Sequence, residues 1–142
     1  MDAPGTGIGP SPRRPLARPR SGRTYAARVG TVDAPELLEL EIGAVAAGGG
    51  CVARAPDGRV VFVRHTLPDE RVRARVTGSS SRYLRADAVE VLRASPDRVV
   101  PPCPHAGPDR CGGCDYQHVD PAAQRRLKAS LVAEQLRRLA GV

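Results

Sequence analysis

The chain has 142 residues and a formal net charge of +7, with one Phe, three Tyr and no Trp. No run approaches the roughly 20 apolar residues of a membrane span, no apolar stretch follows the basic N-terminus as an export signal requires, and four cysteines without such a signal argue against a disulfide scaffold. What remains is a cytoplasmic reading: one ordinary domain with a modest core of Val, Leu and Ala, whose net positive charge favours a nucleic-acid partner and no membrane. Lys128 is the single lysine; an Arg-for-Lys bias of this kind also follows from GC-rich coding, so the charge carries more meaning than the choice of Arg.

Residues 1–24 are rich in Pro, Gly, Ser and Arg, with Ile8 and Leu16 their only large apolar residues. Such a segment cannot bury enough surface to offset its ordering entropy and reads as a disordered basic tail. Residues 25–98 read as a small barrel. Leu38, Leu40 and Ile42 alternate with Glu39 and Glu41, the period of a half-buried strand. Gly48-Gly49-Gly50 breaks it. Cys51–Ala55 and Arg59–Val63 are expected to pair antiparallel across Pro56-Asp57-Gly58, where Asp-Gly supplies left-handed positions. After the turn Leu67–Glu70, Val72, Ala74 and Val76 face one way and Arg71, Arg73 and Arg75 the other. A loop follows at Gly78–Arg82, and Tyr83–Leu92 holds the last strand. Five short strands with tight turns predict a mainly β fold, an OB-like barrel. Residues 99–119 form a cysteine-rich loop. In residues 120–142, Asp120 as N-cap and Pro121 as first residue start a helix, with Leu127, Leu131, Leu136 and Leu139 as an apolar stripe and Gly141 as a C-cap.

Chemistry concentrates at Cys103, Cys111 and Cys114. Cys111-Gly112-Gly113-Cys114 lets two thiolates reach one centre from a tight turn, and Cys103 adds a third across a short loop. Soft thiolates select zinc or an iron–sulfur cluster. Spacing alone leaves open a [4Fe–4S] cluster, which takes four Cys ligands, and a structural zinc completed by His105 or His118; three thiols this close in sequence disfavour a metal-free reading. Cys51, in a strand with apolar neighbours, reads as a small buried hydrophobe.

The stretch Arg110-Cys111-Gly112-Gly113-Cys114-Asp115-Tyr116-Gln117-His118, with Gln124 and Lys128 beyond it, resembles the signature of RNA uracil-C5 methyltransferases, above all the bacterial ribosomal-RNA members. Gly50–Arg54, Val61–Val63, Leu67–Val72 and Ser95–Arg98 resemble that family's N-terminal TRAM domain. The resemblance implies an RNA-binding TRAM barrel followed by a segment in which Cys103, Cys111 and Cys114 are three ligands of a [4Fe–4S] cluster, the fourth coming from a later domain. It also implies transfer of a methyl group from S-adenosylmethionine to uracil by a C-terminal domain with a cysteine nucleophile. No motif of that domain follows His118, so the chain is expected to be the N-terminal part of such an enzyme, continuing into a central and a methyltransferase domain, and not to methylate alone. The loop from Cys103 to Cys111 is longer than the family's usual spacing.

Residues 54–85 carry eight Arg and three acids, whereas Glu36, Glu39 and Glu41 cluster upstream. This segregation makes Arg71, Arg73, Arg75, Arg82 and Arg85, with Tyr83 as a base-stacking ring, the candidate RNA surface. The competing reading is a solvated arginine edge with Tyr83 packed inside. A free-standing TRAM RNA-binding protein with a zinc or incomplete cluster site is the alternative to the methyltransferase reading.

Overall fold

In the computed structural model, residues 36–141 are described; the expected tail and the start of the expected barrel segment lie outside the described residues. Five strands follow in order: β1 (Leu37–Glu41), β2 (Gly50–Arg54), β3 (Val60–Arg64), β4 (Arg71–Ser79) and β5 (Tyr83–Arg93), then the helix α1 (Pro121–Ala140). The sheet order is β1-β4-β5-β3-β2, antiparallel throughout except for the parallel pair β3–β5. The chain leaving β1 closes the sheet: Gly43 N–H donates to the Val52 carbonyl at 2.7 Å and Val52 N–H to the Ala44 carbonyl at 2.9 Å. The circuit β1-β2-β3-β5-β4 is thereby completed, and the expected OB-like barrel is the one observed. Three register irregularities along β4–β5 let these longer strands curl around it.

Strict alternation fills the interior. Val72, Ala74 and Val76 from β4 meet Leu84, Ala86 and Ala88 from β5, Val61 and Val63 from β3, and Leu40, Cys51 and Ala53. Cys51 is buried as expected, its thiol pushed up to about 11 by burial. Among the described residues no aromatic ring enters this core. The β2–β3 hairpin has the expected pairing but not the expected turn: only Gly58 takes a positive φ, at 87°. Its N–H donates to the Ala55 carbonyl at 2.9 Å, while the Asp57 carboxylate accepts from the Arg59 N–H at 3.0 Å. A right-handed turn closed by one left-handed glycine is the standard three-residue solution.

The turn between β3 and β4 buries a charge. Glu70 is 0 % exposed. Its carboxylate accepts from Arg98 Nε at 2.6 Å and Nη2 at 2.7 Å, from the Leu67 N–H at 2.9 Å and from the Ser95 N–H at 3.1 Å. Burial alone would raise this carboxyl; the Arg98, Ser95 and Leu67 donors outweigh burial and hold it below its ordinary value. The pair fastens the chain after β5 to the barrel. A bridge between Arg98 and Val119 follows, flanked by Val99 N–H to the His118 carbonyl and Asp120 N–H to the Asp97 carbonyl, both at 2.9 Å. Residues 99–118 are thus a loop closed at its neck.

Asp120 caps α1 as expected, accepting from the Ala122 and Ala123 N–H groups at 2.9 and 3.2 Å, and Gly141 ends it at φ 66°. The leucine stripe is corrected. Ala123 is buried and Leu127 packs beside Leu67, Val119 and Tyr116, but Leu139 is 83 % exposed and Leu136 is also exposed. At about 100° per residue, Leu136 lies roughly 180° around the helix from Leu127. The four leucines never shared a face.

Candidate nucleic-acid interface and cysteine loop

Alternation does place Arg71, Arg73 and Arg75 together on the outer face of β4, but the fold brings acids to them. In the β1–β4 register Glu41 stands opposite Arg71 and Glu39 opposite Arg73. Arg71 bonds Glu39 at 3.0 Å, and Arg73 bonds both Glu39 and Glu90. Arg75 is bonded to Asp109 of the cysteine loop. Charge separated along the sequence is not separated in space: the acidic strand is the direct neighbour of the basic one. Nor do the six candidate residues form one patch. Arg71 faces Arg93 at one end of the β4–β5 hairpin, and Tyr83 begins β5 at the other, ~30 Å along the strand.

At the Tyr83 end a different constellation forms. Phe62, the only Phe, points outward from the middle of β3 and is 40 % exposed. Its ring meets Tyr83 edge-on, with centroids 5.7 Å apart, and the Arg85 guanidinium lies 5.8 Å from the Tyr83 centroid. β3 pairs with β5 so that Phe62 stands opposite Arg85 and Arg64 opposite Asp87. With the turn at Gly48–Gly50 these residues line an open cleft of about 760 Å³. Arg82 sits in the tight β4–β5 turn beside it and is exposed. An aromatic pair outside a barrel whose core holds none among the described residues is a surface feature, not leftover core.

The cysteine loop is attached at several points. Arg64 donates to Asp115 at 3.0 Å. Gly49, at φ 85°, packs so tightly on Asp115 that a Cβ there would lie 2.6 Å from Oδ2. Gln117 accepts from the Cys103 N–H at 3.2 Å. The buried His118 ring meets the Thr66 carbonyl through Nε2 at 3.1 Å. Gln124 donates to the Tyr116 and Val119 carbonyls, both at 3.0 Å, and Lys128 Nζ lies 5.7 Å from the Tyr116 ring centroid. The polar residues of the cysteine signature therefore tie the loop to the barrel and helix. Cys111 and Cys114 are exposed and Cys103 is half-buried, all as free thiols. Three thiols on one Gly-rich loop suit a soft metal or iron–sulfur cluster in kind. Among the described residues, however, no three His, Cys, Asp or Glu side chains stand close enough to hold a metal ion.

Comparison with known proteins agrees with this architecture. The family model named TRAM domain matches residues 36–89. The barrel is a TRAM domain. An uncharacterized RNA methyltransferase of Streptomyces avermitilis is 65 % identical over 109 residues, covering 75 % of this chain and 25 % of the relative. Proteins named 23S rRNA (uracil(1939)-C(5))-methyltransferase RlmD are 47 % identical over 95 residues in Chromohalobacter salexigens, covering 67 % of this chain and 20 % of that protein, and 43 % over 140 residues in Halomonas elongata, covering 94 % and 28 %. The chain thus spans a quarter or so of the length of the relatives it matches.

Arg82, Tyr83 and Arg85 are candidates already in the sequence; the fold sets Phe62 and Arg64, which the sequence reading does not single out, beside them. The signal was present: in Val61-Phe62-Val63 the two valines are core, so period two sends Phe62 outward. Among the described residues no helix is long and apolar enough to cross a membrane.

Proposed function

We propose that this chain is the RNA-binding N-terminal part of an S-adenosylmethionine-dependent RNA (uracil-C5) methyltransferase acting on ribosomal RNA, and that single-stranded RNA lies across the Phe62–Tyr83–Arg85 face of its barrel. The observation that carries the binding face is the outward aromatic pair with an arginine over its ring, beside the loops where OB-like barrels take oligonucleotides. Aromatic rings stack any base and arginines take the phosphates. The Arg71–Arg73 end, matched to Glu39, Glu41 and Glu90, contributes less. The names of the relatives support the enzyme class.

The test is anisotropy with fluorescent single-stranded RNA. Phe62→Ala and Tyr83→Ala should each weaken binding about ten-fold or more, the effect of losing one stacked base. Arg71→Ala with Arg73→Ala should weaken it by less than about three-fold, since these arginines are already matched to acids and lie toward the far end of the β4–β5 hairpin from Tyr83, where the bared carboxylates are screened from the bound strand. An aromatic double variant that binds as tightly as the parent would overturn this face. A strain lacking the gene should lose a C5-methyluridine from its ribosomal RNA; retention of every such residue, by mass spectrometry, rejects the enzyme class.

Cys103, Cys111 and Cys114 are assigned as three ligands of a [4Fe–4S] cluster, the fourth lying outside this segment. The cluster would staple the loop, which the neck and the Gln117, His118 and Asp115 contacts already hold in place. His118, committed to Thr66, is poorly placed to complete a zinc site. Anaerobically purified protein should be brown and hold iron and sulfide, both reduced by Cys103→Ser. A colourless protein with one zinc would sink the assignment.

A further inference from the structure

The cleft beside Phe62 and Tyr83 contains an acid that binding to RNA phosphate does not call for. Asp87 is half-buried on β5 and lines the cleft. Two arginines flank it in register, Arg64 on β3 and Arg75 on β4. Neither bonds to it. Arg64 is turned to Asp115 at 3.0 Å and Arg75 to Asp109, both on the cysteine loop. Among the described residues the Asp87 carboxylate has no hydrogen-bond or ion-pair partner, whereas the acids along β1 and β4–β5 (Glu39, Glu41 and Glu90) are all matched to arginines. The cysteine loop has drawn both natural partners away and left an acceptor facing an aromatic-walled space.

We propose that this cleft is a base-reading site that selects an unpaired guanine. The inference rests on the RNA-binding reading of the same face and adds to it a sequence preference. An ionised carboxylate can only accept hydrogen bonds. Guanine offers two adjacent donors, N1–H and the N2 amine, which match the two carboxylate oxygens. Adenine and cytosine offer one amine beside an acceptor nitrogen. Uracil offers one N3–H between two carbonyl oxygens, which a carboxylate repels. The base read here is therefore not the kind of base that the relatives' names say is methylated. Stacking on Tyr83 and Phe62 is indifferent to sequence, so selectivity is assigned to Asp87. Arg85, beside the ring, offsets the negative charge and serves the phosphate. A bidentate pair discriminates by roughly ten-fold or more.

The experiment uses the whole chain and oligouridines of about nine nucleotides, within the range of OB-barrel site sizes, carrying one central guanosine, inosine, adenosine, cytidine or uridine. Binding is read by anisotropy at low salt. The guanosine oligomer should bind about ten-fold tighter than the all-uridine one, with inosine, which lacks the N2 amine, in between. Asp87→Asn should remove that preference while all-uridine binding is kept or improved. Equal affinity for all five oligomers overturns the guanine site and leaves the RNA surface standing, as does an Asp87→Asn protein that keeps the preference. Failure of every oligomer to bind overturns both. The base series on the parent chain decides the matter even where the variant does not fold.

Discussion

At the scale of single residues, the strongest commitment is Glu70. A carboxylate with no exposure, four short hydrogen bonds and one guanidinium partner is stable only as a complete set. Replacing it with Ala leaves Arg98 half-enclosed without its counter-charge and two N–H groups without acceptors. Glu70→Ala should lower unfolding free energy by about 3–5 kcal/mol, measured by urea denaturation. The exposed pairs of Arg71 and Arg73 with Glu39 and Glu90 should each cost under about 1 kcal/mol when broken. Nothing in the sequence separated Glu70 from other turn acids; its partner lies 28 residues downstream, and such pairing is set by the fold. The same limit hid the pairing of Glu39 with Arg73, 34 residues apart. Alternation reported which face each side chain takes but not which strand would lie alongside.

At the scale of elements, strands and caps were legible because their causes are local. Period two drew β4 with its valines inward. Asp120-Pro121 marked the helix start, and Asp120→Ala should cost about 1 kcal/mol, seen as a lower Tm with barrel contacts unchanged. Local patterns misled where they were loose. The leucines of α1 recur at spacings of four, five and three residues, which at about 100° per residue sets Leu136 opposite Leu127. At Pro56-Asp57-Gly58 the residue types were right and the turn geometry was not, since one left-handed glycine sufficed. Of the candidate site, the arginines and Tyr83 were visible as types. The cleft was not, because it needs the parallel β3–β5 pairing that sets Phe62 and Arg64 beside Arg85 and Asp87.

At the scale of the whole molecule, barrel, cysteine loop and helix should respond to acid together. Burial holds the His118 imidazole below its ordinary value of 6.5, more than the Thr66 carbonyl raises it, and burial likewise lowers His65. As pH falls through 6.5, the unfolded chain takes up protons that the native state refuses, so stability declines toward the lower folded values. Glu70 adds a second decline. Its folded value lies below 4.5, so its contribution is full above 4.5 and is lost as pH falls past it. Urea unfolding between about pH 8 and pH 2 should show both steps, and His118→Gln should flatten the upper one.

The closed neck at Arg98 and Val119 has a consequence for how this region can change over evolution. Because the two ends of the loop are already held side by side, lengthening it costs only the slow logarithmic increase of closure entropy, ~0.6 kcal/mol for a doubling. Insertions between Cys103 and Cys111 are therefore nearly neutral for the barrel, which is a physical reason the spacing of these two cysteines can be long without disturbing the fold. The region behaves as a cassette plugged into a fixed socket. Shortening only the segment between Cys103 and Cys111, which leaves Asp115, Tyr116 and the neck in place, should leave the barrel's melting temperature nearly unchanged, while altering what the loop can bind.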